Sequence, residues 1–130
     1  MTLATALAVA LGSALGGLGR VWTTLAMARL FGEALPWGTL AVNVAGSLLI
    51  GLVAGLSLPE GRWISAPLAK EFFMLGLFGG FTTFSSFSLQ TVNLLRDGAV
   101  ASAAAYVAGS AVLCVLAAWL GHLAALALQR

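Results

Sequence analysis

The stretch from Gly76 to Thr91 reads GLFGGFTTFSSFSLQT, and it decides how the third long apolar segment of the chain folds. It joins two adjacent glycines to a run of hydroxyl side chains, with phenylalanine at every third position. Gly79 and Gly80 weaken a helix, and the hydroxyls that follow can bond the backbone groups that a break leaves free. A break at membrane depth is tolerated where it faces protein or a water-filled cavity. We therefore predict a helix that is broken at such a place.

The chain as a whole is strongly apolar. Of its 130 residues, 61% are hydrophobic and 8% are charged, whereas a soluble domain carries about a quarter charged residues. Each long charge-free stretch meets or approaches the roughly 20 residues that cross a bilayer; these stretches are 1–19, 36–59, 72–95 and 98–129. The sequence thus predicts an all-α membrane protein, a single domain over residues 1–130. Its four transmembrane helices span about 3–30, 37–56, 67–96 with a break near 79–86, and 98–129.

The basic residues of the loops are nearly balanced across the predicted membrane. Four helices place both termini and the Glu60–Arg62 loop on one side, and the other two loops on the opposite side. The basic residues divide three against two: Arg62, Lys70 and Arg130 on the first side, Arg29 and Arg96 on the second. Orientation normally follows a clear excess of Lys and Arg in the cytoplasmic loops. The balance indicates a chain that inserts both ways up, and hence the hypothesis of an antiparallel dimer.

Two polar stripes lie within the predicted spans, where polar groups are costly and tend to face protein or water. Their members are four residues apart and therefore share a helix face: Thr39, Asn43 and Ser47 on helix two, and Tyr106, Ser110 and Cys114 on helix four. A serine hydroxyl such as that of Ser110 often bonds its own helix. The Asn43 amide has two donors, and both a structural bond to a neighbouring helix and a role toward a ligand stay open.

The chemistry of the stripes favours an anion. They contain donors and no acid, whereas a cation or proton path would more naturally carry Asp or Glu at mid-membrane. Phe84 and Phe87 are neighbours after the predicted break, and the edge of an aromatic ring is positive. Phenylalanines at this spacing more commonly serve packing, so both interpretations of the pair remain open.

Small residues recur at the spacing of helix contacts. The pairs are Gly12 with Gly16, Gly51 with Gly55, and Gly76 with Gly80. Close backbone approach is a main source of helix association in lipid. We expect these glycines to lie on contact faces.

Three motifs in this order resemble the small bacterial fluoride channels of the Fluc (CrcB) family: GGLGR at 16–20, PWGTLAVNVAGS at 36–47 and GGFTTFSSFS at 79–88. The resemblance covers the whole chain, and the last two motifs are specific. It implies an antiparallel, dual-topology homodimer with two pores in the bacterial plasma membrane. Fluoride would leave the cell passively through these pores, which relieves fluoride toxicity.

The resemblance also implies roles for individual residues along each pore. Phe84 and Phe87 look like the paired phenylalanines whose ring edges face fluoride. Asn43 looks like the asparagine that donates its amide to the ion, with Thr39 one turn earlier. The polar track of helix four corresponds to Tyr106 and Ser110.

Further positions carry the implied sodium site and vestibule. Gly79 and Thr82 resemble the residues whose backbone carbonyls hold a structural Na⁺ at the dimer centre, and Arg20 resembles the arginine near the aqueous vestibule. Two residues depart from the family pattern. Cys114 stands where the track often continues with Ser, and Gln90 stands where many members carry Glu.

Two rival functions come from other classes. A small multidrug/proton antiporter also has four helices and dual topology, but it needs a membrane-embedded carboxylate, and residues 1–32 contain no acid. A non-conducting helical scaffold explains the glycine pairs but not the Asn43 stripe or the helix break. The sequence therefore favours a passive channel over a pump or an enzyme.

Overall fold

The computed structural model describes residues 1–57 and 66–129, and this part of the chain is helical with short connections and no strand. The helices of the first, second and fourth spans are α1 (Leu3–Phe31), α2 (Trp37–Leu56) and α6 (Val100–Leu128). The third span comprises α3 (Pro67–Lys70), a π-helical segment (Glu71–Phe78), α4 (Gly79–Phe81) and α5 (Phe84–Arg96). The predicted Glu60–Arg62 loop and Arg130 lie outside the described residues.

All four spans are long and apolar enough to cross a membrane. The predicted all-α membrane fold with four spans and an interrupted third helix is thus confirmed. The interruption falls at Thr82 and Thr83, whose backbones are extended at φ −85°, ψ 159° and φ −153°, ψ 112°. Gly79, by contrast, keeps helical angles of φ −61° and ψ −40°. The break therefore comes after the two glycines, and Gly79 itself remains in helical geometry.

Two of the helix ends are built from local hydrogen bonds. Thr2 caps α1, since its hydroxyl oxygen accepts a bond of 3.1 Å from the Thr5 N–H. Gly98, at φ 73°, follows the end of α5, and the next N–H, that of Ala99, donates over 2.9 Å to the Leu94 carbonyl. Such a left-handed position favours glycine and satisfies carbonyls at the helix end. It also turns the chain directly into α6.

Glycines let the helices touch along two main contacts, α1 with the third span and α2 with α6. A Cβ added at Gly12 would lie 2.6 Å from the Phe72 carbonyl oxygen, and one at Gly80 would lie 2.6 Å from that of Ser13. On the other contact, a Cβ at Gly121 would collide with the Leu48 carbonyl oxygen. The expectation that glycines form contact faces is confirmed at Gly12 and Gly80, whereas Gly121 was not among the predicted pairs.

The π-helical segment from Glu71 to Phe78 differs from the prediction of an ordinary helix here. This segment packs on α1, where the Gly76 Cα lies 2.9 Å from the position of a Cβ added at Gly12. Pattern and propensity describe helices of 3.6 residues per turn, so they carry no signal for the wider turn. We infer that the contact with α1 stabilises the π-helical geometry of this segment.

Gly121 and Gly109 provide a matched test of the α2–α6 contact, because both lie on α6 but only Gly121 meets a neighbouring backbone. We expect Gly121→Ala to lower the free energy of unfolding by about 1–3 kcal/mol, the usual effect of overpacking. We expect Gly109→Ala, which places its methyl in open space, to leave it unchanged or raise it by up to about 1 kcal/mol. Thermal unfolding in detergent measures both, and equal destabilisation by the two variants would contradict the contact.

Candidate functional site

The site is organised by a reciprocal pair of hydrogen bonds between Asn43 on α2 and the broken backbone at Thr83. The Thr83 N–H donates to Asn43 Oδ1 over 2.8 Å, and Asn43 Nδ2 donates to the Thr83 carbonyl over 3.1 Å. Thr83 is buried, and a buried polar group without a partner costs about 1–3 kcal/mol. The amide thus accepts from the Thr83 N–H, which has left its helical acceptor, and also donates to the carbonyl of the same residue. Of the two open interpretations of Asn43, this geometry is the structural bond between helices, and the second amide N–H has no partner among the described residues.

Thr83 also begins the next helix. Its hydroxyl oxygen accepts a bond of 3.2 Å from the Ser86 N–H, and its hydroxyl donates to Ser86 Oγ over 3.0 Å. This is the standard capping role of Thr at a helix N-terminus. The prediction that the hydroxyls after the glycines bond backbone groups freed by the break is confirmed at Thr83. Its role as the cap of the next helix was not predicted.

The break also changes the bonding of the preceding carbonyls. In a continuous helix the Thr83 N–H would donate to the carbonyl of Gly79, but here it donates to Asn43. The Thr82 hydroxyl and N–H both donate to the Phe78 carbonyl, over 2.8 and 3.0 Å. The Gly79 carbonyl is therefore released from its helical donor beside the break, and Gly79 is exposed in the single chain.

A cavity of about 540 Å³ lies beside the break, between α2, the third span and α6. It brings together five of the residues that the sequence predicted for the site: Asn43, Thr82, Phe84, Phe87 and Ser110. Cys114 lies on the same wall. Among the described residues that line this cavity, none is Asp, Glu, Lys, Arg or His. The cavity offers hydrogen-bond donors and aromatic rings without a fixed charge.

Ser110 supplies an unused donor to this cavity. Its side chain is only 6% exposed, and its hydroxyl has no hydrogen-bond partner in the described part of the chain. The alternative of a bond to its own helix is therefore not observed. A buried hydroxyl is normally satisfied by protein or ordered water, and the Ser110 hydroxyl is free for such a partner beside the cavity.

The aromatic residues form a short row across the site. The ring centroids of Phe84 and Phe87 are 5.3 Å apart, and those of Phe87 and Tyr106 are 5.1 Å apart, both pairs being tilted. The Tyr106 hydroxyl donates to Gln90 Oε1 over 3.0 Å and so connects α6 to α5. Phe87 and Tyr106 are packed, whereas Phe84 is 77% exposed in the single chain. Packing within the chain explains Phe87 better than it explains Phe84.

The remaining predicted positions lie apart from this cavity. Thr39 is buried and lines a second cavity of about 350 Å³, which also includes Gln90 and the carboxylates Glu33 and Asp97. Arg20, on α1, lines neither cavity as far as the described residues define them. Its vestibule role stays a prediction.

Comparison with known proteins identifies the family. Residues 7–122 match the family model described as CrcB-like protein, Camphor Resistance (CrcB). The chain belongs to the CrcB family. Among its relatives, a protein of Opitutus terrae is 55% identical over 93% of this chain and 92% of its own length, and one of Methylocella silvestris is 50% identical over 94% and 93%. A third, from Rhodospirillum rubrum, is 46% identical over 97% and 98%. Each of these three relatives carries the name fluoride-specific ion channel FluC.

The matched region contains every residue that the sequence analysis assigned to the site, from Arg20 to Ser110. With four candidate spans and these bacterial relatives, this CrcB protein is a multi-pass membrane protein of bacterial type. The cavity beside the break is consequently the main candidate for its functional site.

Asn43→Leu tests the pair that organises this CrcB site, because leucine has a similar size but can neither accept from nor donate to Thr83. We expect backbone amide exchange at Thr83 to become at least about tenfold faster, and the free energy of unfolding to fall by about 1–3 kcal/mol for each unsatisfied group. Hydrogen exchange with mass spectrometry in detergent measures the first effect. The control, Ser47→Ala, removes a hydroxyl from the same cavity but leaves the pair intact. Unchanged protection at Thr83 in Asn43→Leu would show that the pair does not hold the break.

Proposed function

We propose that this chain is a passive, fluoride-selective channel that exports fluoride across the bacterial plasma membrane. The relatives that cover nearly the whole chain are named fluoride-specific ion channel FluC. The single structural observation that carries the proposal is the uncharged, donor-lined cavity at the helix break. The residues of this cavity have the chemistry that binding a small anion requires.

Fluoride is small and strongly hydrated, so a site that removes its water must replace several hydrogen bonds at once. The free N–H of Asn43 and the unpartnered hydroxyl of Ser110 are two such donors on one cavity. Conduction requires binding that is favourable enough for entry and weak enough for exit. Neutral donors meet both requirements, whereas a buried lysine or arginine would hold the anion too strongly.

The phenylalanines contribute a weaker attraction. An aromatic ring carries positive charge at its edge, and Phe84 and Phe87 lie next to each other at the cavity. In this proposal the ring edges face fluoride as it passes, while the bulk of the rings keeps the path narrow. The Thr39 and Tyr106 hydroxyls extend the path along α2 and α6.

We further propose that two copies assemble as an antiparallel homodimer with two pores. Phe84 is 77% exposed in the single chain, which is unusual for a pore-lining ring unless a second copy covers it. The near balance of basic residues, three against two, supports insertion in both orientations. Each pore would then combine side chains from both copies.

A structural Na⁺ at the dimer centre is compatible with the chemistry of the break. Hard cations prefer oxygen ligands, and carbonyls at broken membrane helices are known to coordinate Na⁺. The released Gly79 carbonyl fits this requirement, and the Thr82 carbonyl on the extended segment would be a second ligand of the same kind. The described residues contain no cluster of His, Cys, Asp or Glu that competes as a metal site. When bound, the ion would hold the broken segments of the two copies together.

The antiporter alternative has no structural support in the described residues. Its chemistry needs a carboxylate within the membrane. The described acids lie near the ends of spans: Glu33 and Asp97 follow the last turns of α1 and α5, and Glu71 lies in the second turn of the third span. The scaffold alternative leaves the unpartnered Ser110 hydroxyl without a role.

The decisive experiment is ion efflux from liposomes that contain the purified protein. Vesicles loaded with fluoride should lose it once a potassium ionophore removes the charge build-up, while the same vesicles loaded with chloride should stay sealed. Protein-free vesicles are the control for leakage. Retention of fluoride by vesicles that contain folded protein would reject the proposal, and equal loss of chloride would reject its selectivity.

Phe87→Ile tests the ring-edge role. Isoleucine keeps apolar bulk but lacks the positive ring edge, so we expect fluoride efflux to fall by at least about tenfold, the effect of losing about 1.4 kcal/mol of stabilisation in the path. Phe72→Ile is the matched control, because Phe72 lies on the third span but does not line the cavity, and its efflux rate should stay near wild type. Gel filtration verifies that both variants retain the native assembly. If the efflux rate of Phe87→Ile equals that of the wild type, the ring edge of Phe87 has no role in permeation.

A further inference from the structure

Cys114 is the only cysteine in the chain, and it lies on the wall of the cavity beside the helix break. It follows Ser110 by four residues on α6, so the two side chains share one face and lie about 6 Å apart along the helix axis. The thiol is partly exposed in the single chain.

The neighbouring hydroxyl indicates that polar species reach this depth. Ser110 is 6% exposed, and its hydroxyl has no partner among the described residues. A buried hydroxyl without a partner costs about 1–3 kcal/mol, and water or an ion in the adjacent cavity can supply the missing bond. Because Cys114 lines the same cavity one turn away, the same solvent has access to the thiol.

We propose that Cys114 is a thiol-modification site in the anion path, open to small water-soluble alkylthiosulfonates, and that the charge of the adduct controls anion passage. The thiolate is the nucleophile in such reactions. Its sulfur attacks the sulfenyl sulfur of the reagent, the new S–S bond forms, and methanesulfinate leaves with the electron pair of the broken S–S bond. The thiol proton goes to water. The reagent itself is the oxidant, and a dithiol reverses the reaction.

The effect on flux rests on the proposed function and has a definite sign. Aminoethyl and sulfonatoethyl adducts are similar in size but carry opposite charges. Charges a few ångströms apart interact strongly where water is scarce. A negative adduct therefore repels the anion and slows its entry, whereas a positive one speeds its entry and slows its exit. At low fluoride concentration, where entry limits the rate, we expect fluoride efflux with the negative adduct to be at least about tenfold slower than with the positive adduct.

The experiment uses the wild-type chain, because its single cysteine makes every adduct assignable. Proteoliposomes are treated with the aminoethyl or the sulfonatoethyl methanethiosulfonate, adduct yield is read by intact-protein mass spectrometry, and fluoride efflux is compared with that of the same untreated protein. Cys114→Ala is the control for reaction elsewhere. A positional control combines Cys114→Ala with Val115→Cys, which moves the thiol to a neighbouring position that is 70% exposed and does not line the cavity.

The outcomes separate this inference from the proposed function. The inference is supported if the wild type forms the adduct and its efflux depends on the sign of the adduct charge. Dithiothreitol should reverse this change in efflux, and neither control variant should show it. If no adduct forms, the thiol is not accessible to the reagent. If adducts of both signs form and give equal efflux, the thiol does not lie in the anion path. If untreated vesicles retain fluoride, the proposed function fails, and the adduct yield alone then decides whether the thiol is accessible.

Discussion

The structure depends on a short stretch of backbone, Thr82 and Thr83, that leaves helical geometry inside a bilayer. Water is scarce there, so the N–H and C=O that lose their helical partners must find others within the protein. The Asn43 amide accepts from the Thr83 N–H over 2.8 Å and donates to the Thr83 carbonyl over 3.1 Å. Because one side chain holds the backbone of this residue, α4 can end at Phe81 and α5 can begin at Phe84. The reorientation of the chain between these residues creates the cavity.

Packing of the helices brings Asn43 within reach of the break. Gly46, three residues after Asn43 on α2, has no side chain, and a Cβ there would collide with the Thr82 methyl group. On the opposite side, Gly80 lies against the backbone of Ser13, so α1 supports α4 immediately before it ends. Close approach of backbones is thus a condition for the hydrogen bonds, and the hydrogen bonds are a condition for the site.

The sequence predicted the parts of this arrangement that depend on composition and spacing. Charge-free stretches predicted the four spans, and the polar side chains at Asn43 and Ser110 indicated faces that avoid lipid. The partner of Asn43 was not predictable, because the contact joins residues 40 positions apart through the backbone of Thr83. The π-helical segment and the place of the break after Gly80 also depend on contacts with α1 and α2. Local patterns contain no information about such contacts.

The same pair of bonds constrains what the cavity can bind. Asn43 uses its oxygen and one N–H on the Thr83 backbone, so the amide plane cannot rotate and the direction of the remaining N–H is set. A donor that is held in place costs little ordering when an ion arrives. A freely rotating amide would adapt to ions of several sizes, whereas a fixed one favours those that fit its position. In the proposed channel, discrimination among anions therefore begins with the helix break, since the bonds that stabilise the break also orient the donor.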